Sequence, residues 1–353
     1  MGCGSSNEAS SPGGYDDDQE FTAEAGRQKQ GGSTHDPDAR EDDFFEVEEA
    51  EGQEFMAVKP WIGQVAEPDN HNEVSMDKPE QTYALEYVYG YRSADSRQNV
   101  HFNSAGQATY MTAALGVILD HDSNTQKFFG GGEVENTSKQ VAKDDKGHTN
   151  DIMCIKLTRD RTTAATGQVG SSPVIFKWDA CTGELQGRFK LPKGSRGVNA
   201  IAWSKDGDYI ACVDLHNDHR VYCIKAADMT LAWQDKGGPD KVHDVEFAND
   251  SNRFVTVGTK HCYFWNADSS DGEKKKGIFN GSPMTSFCCA AWGDDDTCYT
   301  GGANSRIYKW TGSNRTCQGT MDVHKKGFVC TLKYVDGQLY SGAKDGDIHE
   351  VDV

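Results

Sequence analysis

No apolar run in these 353 residues approaches the roughly 18 needed for a helix to cross a bilayer, and apolar residues make up 36% of the chain. An excess of positive charge is missing too. The 36 basic residues stand against 55 acidic ones, a formal charge of −19, so a general attraction for phosphate is excluded and nucleic acid is not an expected partner. The chain has no G-x-S-x-G elbow, no G-x-x-x-x-G-K-[ST] loop and no H-E-x-x-H pair. No catalytic residue, cofactor site or metal ligand is therefore assigned, and the chain is not expected to be an enzyme. Eleven cysteines are present, but their number is odd, no C-x-x-C occurs and no secretory signal precedes them. They read as reduced, buried thiols of a cytosolic chain, with the adjacent Cys288 and Cys289 pointing to opposite faces of a strand.

The negative charge is concentrated at one end. Residues 1–54 carry 16 acids and 3 bases, a net −13, leaving −6 for residues 55–353. From Asn7 to Glu54 the chain is rich in Gly, Ser, Asp and Glu and poor in β-branched residues, so it lacks the apolar surface needed to fold and reads as a disordered acidic leader. Its acid runs lack the D-x-[DN]-x-[DN]-G spacing of a calcium loop. The leader begins Met1-Gly2-Cys3-Gly4-Ser5-Ser6, which fits the N-myristoylation pattern at Gly2 and offers Cys3 as a second acylation site. One myristoyl chain binds membranes reversibly, on the order of 10⁴ M⁻¹, whereas two chains anchor stably. Because the acids repel an anionic leaflet, the acyl chains would be the whole of the membrane signal.

Beyond Tyr83 short apolar alternations are separated by Gly, Asp and Asn turns, the pattern of many short antiparallel strands. Segments ending at Trp178, Ile224, Trp265, Trp310 and Val351 align with one another at spacings of 46, 41, 45 and 41 residues. Each unit opens with another apolar run: Ile152 to Leu157, Val198 to Trp203, Val242 to Phe247, Phe287 to Trp292 and Phe328 to Tyr334. A further unit occupies Asn99 to Asp120. A period in the low forties is that of four-stranded propeller blades. The fold expected is an all-β propeller over residues 99–353 with six visible blades, the last ending in its third strand. Gly147-His148 before the second unit and Trp178-Asp179 at its close resemble the WD repeat. In that family the His, a turn Asp and the Trp form a structural hydrogen-bonded network. His148, Trp178, His324 and Asp345 are accordingly read as fold residues.

Ahead of the repeats stand Phe55-Met56-Ala57-Val58-Lys59-Pro60-Trp61-Ile62-Gly63, then Leu85-Glu86-Tyr87-Val88-Tyr89-Gly90-Tyr91-Arg92 and Asp95-Ser96-Arg97. This arrangement resembles the hydrophobic HELP motif of the echinoderm microtubule-associated protein-like family, and the likeness continues through nearly all of residues 55–353. The resemblance implies binding to tubulin or microtubules, a cytoskeletal location such as a cilium, flagellum or cell cortex, and a HELP region over residues 55–98. It also implies that Phe55, Met56, Trp61, Ile62, Tyr89, Gly90, Tyr91 and Arg92 contribute to a packing surface. Members typically carry two propellers, the first usually seven-bladed, so a chain stopping in its sixth unit is expected to leave that surface open to a partner protein.

Three basic clusters are candidate contacts for acidic tubulin: Arg188, Lys190, Lys193 and Arg196; Lys274, Lys275 and Lys276; and Lys325 with Lys326. Ordinary solvated loop charge is the competing reading for each. His216 and His219 fall in a turn that the family shares, which argues against a metal site there. The leading expectation is a microtubule-associated scaffold tethered to membrane by its acylated leader. The alternatives are a membrane-anchored adaptor whose propeller top binds other proteins and ignores tubulin, and a propeller hydrolase, for which no converging channel carboxylates are identified.

Overall fold

The computed structural model describes residues 70, 84–93, 95–131, 146–171 and 173–353. The leader with Gly2 and Cys3, and Phe55, Met56, Trp61 and Ile62, lie outside the described residues. Six antiparallel sheets follow one another along the chain, each with its strands in sequence order, and no helix occurs among the described residues. Sheet I holds β1 (Val100–Phe102), β2 (Ala108–Thr112), β3 (Leu115–Asp120) and β4 (Thr125–Phe129). Sheet II holds β5 (Ile152–Leu157), β6 (Thr163–Gln168), β7 (Val174–Asp179) and β8 (Leu185–Lys190). Sheet III holds β9 (Val198–Trp203), β10 (Tyr209–Asp214), β11 (Arg220–Lys225) and β12 (Thr230–Lys236). Sheet IV holds β13 (Val242–Phe247), β14 (Arg253–Gly258), β15 (His261–Asn266) and β16 (Lys275–Lys276). Sheet V holds β17 (Phe287–Trp292), β18 (Cys298–Gly302), β19 (Arg306–Thr311) and β20 (Thr316–Asp322), and sheet VI holds β21 (Val329–Val335), β22 (Gln338–Ala343) and β23 (Ile348–Asp352).

These sheets are the blades of a WD-repeat propeller. The first strands β5, β9, β13, β17 and β21 pack side by side in succession, with β1 against β5. Five apolar clusters fill the spaces between consecutive sheets, each made from one face of a sheet and the opposite face of the next. An inner strand therefore buries both faces, and all six residues of β17 are buried. Its sequence Phe-Cys-Cys-Ala-Ala-Trp is a continuous apolar run rather than an alternation for that reason. Small residues set the spacing. A Cβ on Gly167 would lie 2.5 Å from Val198, and one on Gly301 2.6 Å from the Cys289 sulfur. Between β21 and β1 no comparable packing exists among the described residues.

Inside the sheets a buried hydroxyl on the second strand ties the tryptophan of the third strand to a histidine. Trp178 Nε1 donates to Thr166 Oγ1 at 3.1 Å, and the same hydroxyl meets His148 Nε2 at 2.7 Å. Gln168 Oε1 can only accept, so the Thr166 hydroxyl donates to His148 Nε2. Nδ1 then carries the ring proton and donates to Gln168 Oε1 at 2.8 Å. Sheet IV repeats the device with Trp265, Thr256 and His261, and sheet V keeps only Trp310 on Thr300. In sheet VI His324 bridges Ser341 and Asp345, and Val351 stands in the Trp place. His148, Trp178, His324 and Asp345 thus act within the fold, with Gln168 rather than an aspartate completing the network of sheet II.

Two outcomes follow from this burial. Thr166→Val keeps the shape but strands the Trp178 N–H and His148 Nε2, and should cost about 1–3 kcal/mol in urea unfolding. Thr300→Val, which strands one donor, should cost less. Burial pushes His148 and His101 down to about 4 and His243 and His261 down to about 3. The unfolded chain binds protons that the native chain refuses, so stability is full above about pH 6.5 and falls as pH drops toward 4, by up to about 1.4 kcal/mol per pH unit for each histidine. Asp244, raised by burial to about 6, acts in the opposite direction but is one group against four. The Tm measured at pH 5 should lie clearly below that at pH 7.5.

Candidate protein-interaction surface

Residues 84–98 form a strap without regular structure that crosses sheet I and enters the ring of inner strands. Tyr87 donates to Asn124 Oδ1 at 3.0 Å, and the Val88 backbone exchanges two bonds with the Gln126 side chain, at 2.7 and 3.0 Å. Further along, Arg92 N donates to Met111 O. With its backbone fixed at these points, the strap turns Tyr89 and Tyr91 outward, 87% and 60% exposed, around a Gly90 whose φ of 84° suits glycine. Arg92 faces inward. Its guanidinium pairs with Asp95 and, at 3.0 Å, with Asp151, which fastens the strap to the start of sheet II.

The strap ends in the channel. Each inner strand from β5 to β21 carries a register shift near its start, at Met153, Asn199, His243, Cys288 and Cys330. A bulge leaves one residue out of the ladder and frees its carbonyl. Arg97 takes up two of these, donating to His243 O at 3.2 Å and to Cys288 O. Met153, Asn199, His243 and Cys330 surround it in a small pocket with Asp95, Ser96 and Gln98. Arg97 therefore closes one end of the channel, a role that no motif revealed because the bulges belong to five separate repeats.

The opposite end is open, as a cavity of about 760 Å³ lined by all six inner strands. Lys156 pairs with Glu246 at 2.7 Å across it, while Trp203 Nε1 donates to Lys156 O and Trp292 Nε1 to Glu246 O. Burial opposes the charge on Lys156, but Glu246 and Asp244 beside it hold its pKa above the ordinary lysine value. Two carboxylates that the sequence did not single out thus flank Lys156 from one strand, Glu246 in this cavity and Asp244 in the small pocket around Arg97. Both are committed: Glu246 to Lys156, and Asp244 to the backbone N–H groups of Val245 and Ala290.

The three basic clusters occupy different places and do not form one patch. Arg188 and Lys190 lie on β8, with Lys193 and Arg196 in the loop that follows, where Arg196 donates to Asn217. Lys274 lies over the rings of Tyr263 and Trp265, 4.7 and 5.2 Å from their centroids, and beside Asp235. Lys275 and Lys276 form β16, and Lys325 and Lys326 are exposed in the loop before β21. His216 and His219 do not converge: one lies by Asp218, the other on Asp214 O. A trio with metal-ligating atoms does form elsewhere, from His324, Asp345 and His349. The ten described cysteines are free, and burial pushes Cys154 and Cys223 up to about 12, leaving them protonated and inert.

Comparisons with known proteins agree with this architecture. A family model described as the echinoderm microtubule-associated protein first β-propeller matches residues 146–353, and a HELP-motif model matches residues 78–117, which takes in the strap, β1 and β2. The chain is 50% identical over 314 residues to the ciliary WD repeat-containing protein ctxp80 of Euplotoides octocarinatus, covering 88% of this chain and 43% of that one. It is 28% identical over 293 residues to human echinoderm microtubule-associated protein-like 1, covering 76% and 33%. The chain spans less than half the length of these curated relatives. Among solved structures, the C-terminal WD40 domain of Sif2 matches with a TM-score of 0.53 at 15% identity, over 70% of this chain and 66% of that one, a likeness of fold.

The anchoring of the strap is open to direct test. Arg97→Met, which keeps the length of the side chain and removes its donors, should cost about 1–3 kcal/mol. It should also raise amide exchange selectively across residues 84–98, read by mass spectrometry.

Proposed function

From the premise that this chain belongs to the echinoderm microtubule-associated protein family, we propose that it is a microtubule-associated scaffold of a ciliary or cortical cytoskeleton. The observation that carries the reading is the 50% identity with a ciliary WD repeat protein over most of this chain. The geometry supports a scaffold. A rigid ring of sheets holds exposed aromatic groups, Tyr89 and Tyr91, on a strap fixed at both ends, and such groups contribute large contact area at small entropic cost. Tubulin would be met through local basic groups, since the chain as a whole is acidic. Arg188, Lys190, Lys193 and Arg196 are the group we favour, since four exposed cations follow one another within nine residues on β8 and the loop after it. Lys274 is less available, held as it is over two rings.

A second reading rests on the Met1-Gly2-Cys3-Gly4-Ser5-Ser6 start, which favours a lipidated chain at a membrane. In a tethered scaffold the two readings combine, and in an adaptor that ignores tubulin the anchor stands alone. Co-pelleting with microtubules separates them. The full chain should pellet at low salt and release as salt rises, and glutamine at Arg188, Lys190, Lys193 and Arg196 should weaken pelleting several-fold. Equal pelleting by the variant at every salt concentration would remove that patch, and none by the wild type would leave the adaptor. Gly2→Ala should move the chain from the membrane to the soluble fraction in cells, and unchanged fractionation would rule out the acyl anchor.

A further inference from the structure

Sheet VI departs from its neighbours at one position with chemical consequences. The residue paired with the hydroxyl of the second strand is Phe176 in sheet II, Tyr263 in sheet IV and Tyr308 in sheet V. In sheets II and IV that ring packs against the histidine of the network at 4.7 Å between centroids. Sheet VI places His349 there, against His324 at the same 4.7 Å and nearly perpendicular. The packing role is conserved with a ring that brings two nitrogens. One of them, Nε2, is buried without a hydrogen-bond partner among the described residues, an arrangement that is destabilising if nothing satisfies it.

His349 also stands in a set of ligand groups. His324, Asp345 and His349 offer ligand atoms within 4.8 Å of one another, and the side chains of His324 and Asp345 are 0% and 4% exposed. His324 Nδ1 lies 3.2 Å from both oxygens of Asp345. The carboxylate is fixed from behind by the backbone N–H groups of Lys325 and Asp347, at 3.2 Å each. On the far side of the ring, His324 Nε2 meets Ser341 Oγ at 2.9 Å.

The missing tryptophan matters here. In sheets II and IV the indole donates to the hydroxyl and occupies one of its two lone pairs, and in sheet II Gln168 Oε1 holds the ring proton on Nδ1. In sheet VI Val351 takes that place, so Ser341 Oγ is free to accept from Nε2–H instead. The ring can shift its proton from Nδ1 to Nε2 with no change in charge, presenting the Nδ1 lone pair toward Asp345. A ligating histidine usually donates its other N–H in this way.

We propose that His324 Nδ1, a carboxylate oxygen of Asp345 and a ring nitrogen of His349 form a binding site for a borderline transition-metal dication, of which zinc is the representative. Two imidazoles and one carboxylate are the donor chemistry of such ions, and no thiolate is involved. Ligand atoms around a tetrahedral ion with bonds near 2.1 Å sit roughly 3.4 Å apart, so the His349 ring closes in by about an ångström on binding. The bound ion would join β23 to the loop before β21 and to the turn between β22 and β23, a cross-link within one sheet.

The test uses the full chain, stripped with chelator and titrated with zinc against a chromophoric competitor. One zinc per chain is expected, with a rise in Tm. Cobalt should give a visible spectrum without thiolate charge-transfer bands, and X-ray absorption of the zinc form should show two imidazoles with oxygen. His349→Phe, which installs the ring sheet II already uses, should keep the metal-free Tm and lose at least about 100-fold in affinity, beyond what losing a ligand's hydrogen-bond partner typically costs. His349→Leu is the second variant should Phe not fit. No binding by the wild type, equal binding by either variant, or a thiolate spectrum would each overturn the site.

Discussion

A buried hydroxyl on the second strand of a sheet is the interaction on which the propeller depends. Thr166 and Thr256 each receive an indole N–H from the third strand and hold a histidine ring, within sheets whose faces are otherwise apolar. A polar group in such a place is costly unless satisfied, and once satisfied it permits one arrangement of strands rather than several. The large rings are therefore fixed in position. Trp178, Trp265 and Trp310 are buried almost completely, and each belongs to one of the apolar clusters between consecutive sheets.

From that rigidity comes the regular placement of the inner strands, and from them the ring of bulges. A bulge is repeated near the start of each inner strand from β5 to β21, so five residues stand outside the strand ladders at corresponding places. The strap exploits this. Its Arg97 fits two freed carbonyls, its Arg92 joins two sheets, and its tyrosines remain outside. The short aromatic motif before the repeats lies along sheet I, and the residues that follow it, through Arg97, close one end of the channel. The opposite mouth carries its own charge pair, Lys156 with Glu246, which satisfies both groups where an isolated charge would be expensive.

Much of the strand layout was legible from the residues. β5, β7, β9, β13 and β17 coincide with runs picked out by apolar pattern, and β21 differs by one residue. The reason is local: an inner strand buried on both faces must be apolar along its length, and the turns between strands need Gly, Asp and Asn. The network residues His148, Trp178, His324 and Asp345 were also legible, through the resemblance of Gly147-His148 and Trp178-Asp179 to the WD repeat. Gln168 was not, since it takes the aspartate's part from another position on β6. Nor did the chain reveal that Lys274 lies over Tyr263 and Trp265, or that the three basic clusters stand on different sheets.

Periodicity by itself determined the all-β repeat and the number of sheets, because a period of two within strands and about forty-three between them leaves few other ways to bury these apolar residues. Only the tertiary structure decided what meets at the axis and between strands. Arg97 touches residues 146 and 191 positions away, and Lys156 finds Glu246 90 positions away. His349 meets His324 only because β23 lies beside β22. Contacts of that kind depend on the ring of sheets and the register within each one, and neither is recorded in the spacing of residues along the chain.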